Sequence, residues 1–442
     1  MIGSHMSSNR YNRAYFGISI IALINKKNYN LGVKMIKDIP FCFKDKNEDY
    51  LVIESLQTFC KDNNLHTVGD KMKLIENIVE YANLSEENEE IVLEWIDTVL
   101  KEGIKKIIIS KILYSTEIVN KTIEEWKEMI NDKFSIYDSK HIITGIHTND
   151  VKLQTYKLEE SNGFVEKISL IFTILLKEEK NKGVTQTIIY PIFIDIDIKN
   201  KYIIGRAKSK SSISKFKMYK NGEEEIIKST TCDKLTLEVF EILKSKFDIE
   251  EESKERRDHI FKGRIHSIVD ECTRTPKEIM DKIETESDNI NAFVKNFFSR
   301  HDINPFSDEN YNNAIDDIKV FIEKYLSINY EDQSIFTQDR YAYPTKIAAT
   351  DSDFSSIDES SSDNKPLQCT SIFFDNKKLI QREKKCDNVV FIFKREQKLY
   401  FTNKTFSVIL EVKKGRMHID FRKYTLEEDI NNVLSRIIRT SR

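Results

Sequence analysis

The chain has 442 residues, of which 40% are hydrophobic and 32% charged, and its formal net charge is -3. That length predicts two or three domains, and the balance of apolar and charged residues excludes a disordered or fibrous chain. No apolar run reaches the roughly 18 residues that span a bilayer and no secretory leader is recognisable, so a soluble cytoplasmic protein is expected.

Residues 1–6, MIGSHM, read as an expression scar and are set aside. The apolar run FGISIIALI within Tyr15–Leu31 is too short to cross a membrane. Glycine (12) and proline (6) are scarce beside Ile, Lys, Asn and Glu, a bias that reads as an AT-rich bacterial or phage genome. The six cysteines, Cys42, Cys60, Cys232, Cys272, Cys369 and Cys386, form no C-x-x-C pair and lie at no zinc spacing from histidine. They are expected as reduced, buried thiols, and no metal site is expected.

The first unit, residues 7–135, opens with β-prone runs over about 9–48 and turns helical from Tyr50 to Leu113. Its apolar residues recur at helical spacing around Leu56, Ile75 and Val92. Ser85 is placed to cap the third helix, Gly103 to end it, and a further helix over Thr116–Lys133 carries Trp126 on its apolar side. Residues 136–248 change to the period of strands. Ile142–Ile146, Lys152–Leu158, Val165–Leu176 and Thr187–Ile198 are predicted strands, and Lys199–Lys201 turns the last into Tyr202–Ala207. In IFIDIDI, Ile192, Ile194, Ile196 and Ile198 share one face, with Asp195 and Asp197 on the other, within reach of neighbouring lysines. Helical spacing returns over residues 233–300, starting with Leu235–Lys246, and residues 249–335 form a helical connector. Residues 336–442 hold an acidic loop at 351–363, a meander of four strands (Val389–Phe393, Lys398–Thr402, Phe406–Val412, Met417–Phe421) and a closing helix over Thr425–Ile438. The predicted class is α+β: N-terminal helical module, central antiparallel sheet, helical connector, C-terminal β-meander with terminal helix.

The strongest functional signal is Lys199–Asn221, KNKYIIGRAKSKSSISKFKMYKN, with seven lysines, one arginine, no carboxylate and three aromatics. Eight like charges favour a polyanion, whose phosphates Lys199, Lys201, Arg206, Lys208, Lys210, Lys215, Lys217 and Lys220 would neutralise. Tyr202, Phe216 and Tyr219 would stack on unpaired bases. The other readings are an acidic protein partner, the chain's own acidic loop, or a solvated strand edge.

Tyr50–Ala82 holds Leu56 and Phe59, then Asn64-Leu65, then Gly69, Lys71, Leu74, Ile75 and Ile78. This segment resembles the SAP motif, a two-helix DNA-binding module. The resemblance covers about 33 of the 442 residues and departs from the motif at Asn77, where an arginine is expected. It implies that Lys71 and Lys73, at the start of the second helix, meet a DNA phosphate. A purely structural helical hairpin is the alternative reading.

For catalysis, Glu411-Val412-Lys413 forms an E-x-K on a predicted strand, the pattern with which metal-dependent nucleases hold Mg²⁺ and steady a phosphate; Asp387 or Asp420 would be the second carboxylate. No phosphate-binding glycine loop, dinucleotide fingerprint or nucleophile elbow is present. The sequence therefore points to a non-enzymatic nucleic-acid-binding protein of a bacterial DNA-maintenance or anti-phage system, with DNA favoured and no cofactor. A Mg²⁺-dependent nuclease and a protein-interaction scaffold with an acidic partner are the alternatives.

Overall fold

Lys105–Leu113, KKIIISKIL, is a strand rather than the end of a helical region, and the sheet is assembled on both its edges. The computed structural model describes residues 36, 38–45, 50–114, 116–136, 139–180, 183–219, 222–301, 308–350, 356–361 and 365–438. Most of the β-prone N-terminal stretch, including FGISIIALI, lies outside these residues.

The elements are α1 (Phe41–Lys44), α2 (Ile53–Asp62), α3 (Lys71–Ala82), α4 (Glu86–Val99), β1 (Lys105–Leu113), α5 (Thr116–Val119) and α6 (Ile123–Lys133). There follow β2 (Lys152–Ser161), β3 (Phe164–Glu179), β4 (Thr185–Asp197), β5 (Tyr202–Lys208), β6 (Ile213–Met218), β7 (Glu224–Thr230), α7 (Cys232–Phe247) and β8 (Glu250–Glu251). The connector is α8 (Lys254–Cys272), α9 (Lys277–Thr285), α10 (Ser287–Arg300) and α11 (Asp308–Ile328). The chain then forms β9 (Ala342–Thr350), β10 (Ser356–Ser360), α12 (Ser371–Glu383), β11 (Asn388–Lys394), β12 (Thr405–Lys413), β13 (Arg416–Phe421) and α13 (Glu427–Ile438).

The fold is α+β. Its strands make one antiparallel sheet in the order β10-β9-β11-β12-β13-β1-β5-β4-β3-β6-β7, with β2 also on β3 and β8 on β1. The central sheet and the C-terminal meander are therefore continuous: β1 pairs with β13 on one edge and with β5 on the other.

Burial explains why β1 has no alternating pattern. Ile108 and Ile112 belong to a core built with α2–α4, α6 and α7, while Ile107 and Ile109 belong to a second core built with α8, α12 and α13. β5 divides likewise, Ile203 and Ala207 facing the first core and Tyr202 and Ile204 the second. Each fully buried isoleucine contributes about 1.5–3 kcal/mol, so apolar residues are favoured on both faces and the period of two is lost. Gly205 on β5 lets α7 approach: a Cβ there would meet the Thr236 methyl and lie 2.8 Å from Phe240 Cε1.

Other local signals agree with the structure. Ser85 Oγ accepts from the Asn88 amide at 3.1 Å, and Trp126 is fully buried. Asp195 pairs with Lys167 at 3.5 Å, whereas Asp197 holds the Asn200 amide at 2.8 Å within the β4–β5 turn.

Three expectations are corrected. Ile142–Ile146 is a turn, its start held by Asp97, which accepts from the Ile142 amide at 3.0 Å and lies 2.8 Å from His141 Nδ1. Lys398–Thr402 is a bend closed by the Lys398 amide donating to the Phe401 carbonyl at 3.2 Å. Within the acidic stretch 351–363, Ser356–Ser360 is the edge strand β10 on β9.

Candidate nucleic-acid interface

The turn between β4 and β5 carries two exposed cations of the basic segment, Lys199 and Lys201. Asp197 accepts from both the backbone and the side-chain amide of Asn200, at 2.8 and 2.9 Å, and Lys201 takes the left-handed conformation with φ 60°. The turn is anchored to β1, where the Ile112 amide donates to the Lys201 carbonyl at 2.9 Å and Lys111 Nζ donates to the Asn200 carbonyl at 2.6 Å. Lys111 Nζ stands 4.2 Å over the Tyr202 ring and Lys201 Nζ 5.8 Å over the Tyr114 ring. Burial pushes the Lys111 ammonium pKa down, and the nearby charges of Lys201 and Arg264 push the same way, against Glu252 and Asp197. Three cations from β1, the β4–β5 turn and α8 thus repel one another at one place. Lys199, next along the turn, reaches Glu166 at 3.1 Å across an exposed pair, a kind of contact worth about 0–1 kcal/mol and readily exchanged for a phosphate.

Most of the other described residues of the basic segment are used by the fold. Tyr202 is 4% exposed and packs on Phe261 of α8; Phe216 is 2% exposed beneath Lys177, whose Nζ is 4.8 Å from its ring. Neither ring can stack on a base, which corrects that expectation. Arg206 is buried and pairs with Glu427 at the start of α13. Lys208 is buried with Nζ 3.7 Å over the Tyr50 ring, and Lys210 reaches Glu178 at 2.5 Å. Lys215 is held by both carboxylate oxygens of Glu238 at 2.6 Å. Lys217 is exposed beside Tyr219, 5.2 Å from its ring, and Tyr219 donates its hydroxyl to Glu225. Lys220 lies outside the described residues. Removing an ion from water costs several kcal/mol, so an unbroken row of lysines in strands of a two-sided sheet is accommodated only by folding partners around it.

The SAP-like segment forms the hairpin α2–α3, with Leu56, Phe59, Leu74, Ile75 and Ile78 buried. Gly69 has φ 146°, and Asp70 caps α3 by accepting from the Lys73 amide at 2.9 Å. The carboxylate therefore occupies a position where a phosphate would bind. Lys71 is 8% exposed and donates to the Asp45 carbonyl at 2.7 Å, while Lys73 reaches Glu76 at 3.3 Å.

Glu411 and Lys413 pair with each other at 2.5 Å. Asn388 lies opposite Glu411, so the preceding Asp387 points to the other face of the sheet, where Lys262 of α8 meets it at 2.5 Å. Asp420 lies opposite Ile409 and Lys106. The sheet thus separates Asp387 from Glu411, and among the described residues no group of three or more His, Cys, Asp or Glu is placed to hold a metal ion.

Lys111 and Arg264 were not singled out from the sequence. Lys111 sits in the run read as helix, and α8 carries many other charges; recognising KKIIISKIL as a strand would have placed Lys111 beside the turn. Among the described residues no helix is long and apolar enough to cross a membrane. Comparison with family models, curated proteins and solved structures returns no match.

Proposed function

We propose that this chain is a non-enzymatic nucleic-acid-binding protein that meets the phosphate backbone through Lys111, Lys199, Lys201 and Arg264. The observation that supports this reading is that Lys111 of β1, Lys201 of the β4–β5 turn and Arg264 of α8 lie near enough for the charges of Lys201 and Arg264 to add to burial in pushing the Lys111 ammonium pKa down. Like charges gathered at a surface attract a polyanion, and contacts to phosphate carry little sequence information. DNA is the expected polyanion through the SAP-like hairpin, whose own contribution is small because Asp70 and Asp45 occupy the groups that a phosphate would need.

Fluorescence anisotropy with labelled duplex and single-stranded DNA in dilute buffer tests this reading. Lys201→Glu combined with Arg264→Glu is expected to weaken binding by about tenfold or more, since two phosphate contacts become repulsions. Lys217→Glu, at the far end of the basic segment, is expected to leave affinity unchanged. Equal affinity of wild type and the double variant would retire the proposal.

A second reading, a protein-interaction scaffold, is favoured by the aromatic residues that the connector leaves uncovered. Phe293 on α10 and Phe321 on α11 are 61% and 60% exposed, and aromatic anchors of this kind are enriched at protein interfaces. Pull-down of a partner that survives high salt and is lost in Phe293→Ser/Phe321→Ser would support it.

A further inference from the structure

We infer that the outer edge of β7 is a self-association strand that pairs antiparallel with β7 of a second copy of this chain. Among the described residues β7 ends the sheet with β6 as its only strand neighbour, and six consecutive residues, Glu224–Ser229, are exposed. Among the described residues the β6–β7 hairpin shares two register pairs with the rest of the sheet, Lys177↔Ser214 and Glu178↔Ile213. At the centre of the edge lie Ile226 and Ile227, 55% and 62% exposed. A strand edge offers a row of unpaired N–H and C=O groups, and proteins blunt such edges with charges, prolines or bulges. A bulge is present, between Lys215 and Phe216, but the residue that it adds to β7 is the second isoleucine rather than a charge.

The order of charges along β7 selects the partner. In Glu224-Glu225-Ile226-Ile227-Lys228, antiparallel pairing about the isoleucines sets Lys228 of each strand against Glu224 or Glu225 of the other. The match occurs twice, once on each side of the two-fold axis, as an isologous interface requires. Parallel pairing would set Lys228 against Lys228. Within its own chain Lys228 faces Lys215, which Glu238 already holds at 2.6 Å, and no carboxylate among the described residues pairs with Lys228. Glu224 meets Lys177 and Glu225 accepts from Tyr219, each through a single oxygen, so both can still accept from an incoming ammonium. One short strand edge is small beside the roughly 800 Å² per partner of a standard interface, and the dimer is accordingly concentration-dependent.

Sedimentation equilibrium of the full chain over a concentration series tests this inference. Wild type is expected to rise from monomer to twice the monomer mass. Ile227→Lys, Lys228→Glu and Glu225→Lys are each expected to stay monomeric with unchanged circular dichroism. An equal mixture of Lys228→Glu with Glu225→Lys is expected to regain the dimer, because the exchanged charges again face opposites. A wild type that stays monomeric throughout, an Ile227→Lys variant that dimerises as wild type does, or a mixture that fails to reassociate overturns the inference. None of these outcomes depends on nucleic-acid binding.

Discussion

Glu251 shows how single residues decide where this chain can keep charge. Its carboxylate lies where β8 meets β1 and accepts from Ser110 at 2.5 Å, Arg257 at 2.7 Å, and Arg416 at 2.7 and 2.5 Å, with Lys244 at 3.3 Å. Burial would raise its pKa, but hydrogen bonds from Arg416 and Ser110, with the charges of Arg416 and Arg257, hold it down at about 2. Its contribution to stability is thus fully present above its ordinary value of 4.5 and is lost as pH falls toward about 2. Glu251→Gln leaves two guanidinium groups short of their counter-ion, so chemical denaturation at neutral pH is expected to show a loss of about 3–5 kcal/mol. The same variant should show a flatter fall in stability through that acid range. A loss no larger than that of an exposed glutamate variant would mean that the cluster does not hold the junction. The buried lysines of the basic segment follow the same rule: they remain charged because partners were folded around them.

At the scale of elements, the close approach of α7 to β5 rests on Gly205. Gly205→Ala would drive a Cβ into Thr236 and Phe240, and overpacking of this kind typically costs about 1–3 kcal/mol. Thermal unfolding should therefore shift downward, and an unchanged midpoint would mean that the helix can move off the sheet without penalty. Elements with a single buried face were legible in the sequence: α2–α4, α7 and α13 have helical spacing, and β3 and β4 were placed within a few residues of their ends. Two kinds of element were not. β1 is buried on both faces and so lacks the alternation that announces a strand. β6 lies inside the basic segment, whose charge points toward a ligand, although a lysine row in a strand needs internal partners first. The candidate site was legible in part, because Lys199 and Lys201 belong to the conspicuous basic run. Lys111 and Arg264 join them only through tertiary pairing.

Across the whole molecule, β1 and β5 carry one core on each face and knit the N-terminal helices, the central strands and the C-terminal meander into one sheet. That architecture consumes most of the positive charge that makes the sequence look like a polyanion binder, leaving a compact patch at the β4–β5 turn and a separate open edge at β7. The salt dependence of DNA binding tests this division most directly, because each phosphate contact contributes a slope of about −0.9 in log affinity against log salt on duplex DNA. A patch of four cations predicts a slope no steeper than about −3.6, flattening in Lys201→Glu/Arg264→Glu. A slope near −7, as eight accessible charges would give, or one near zero, would contradict the account.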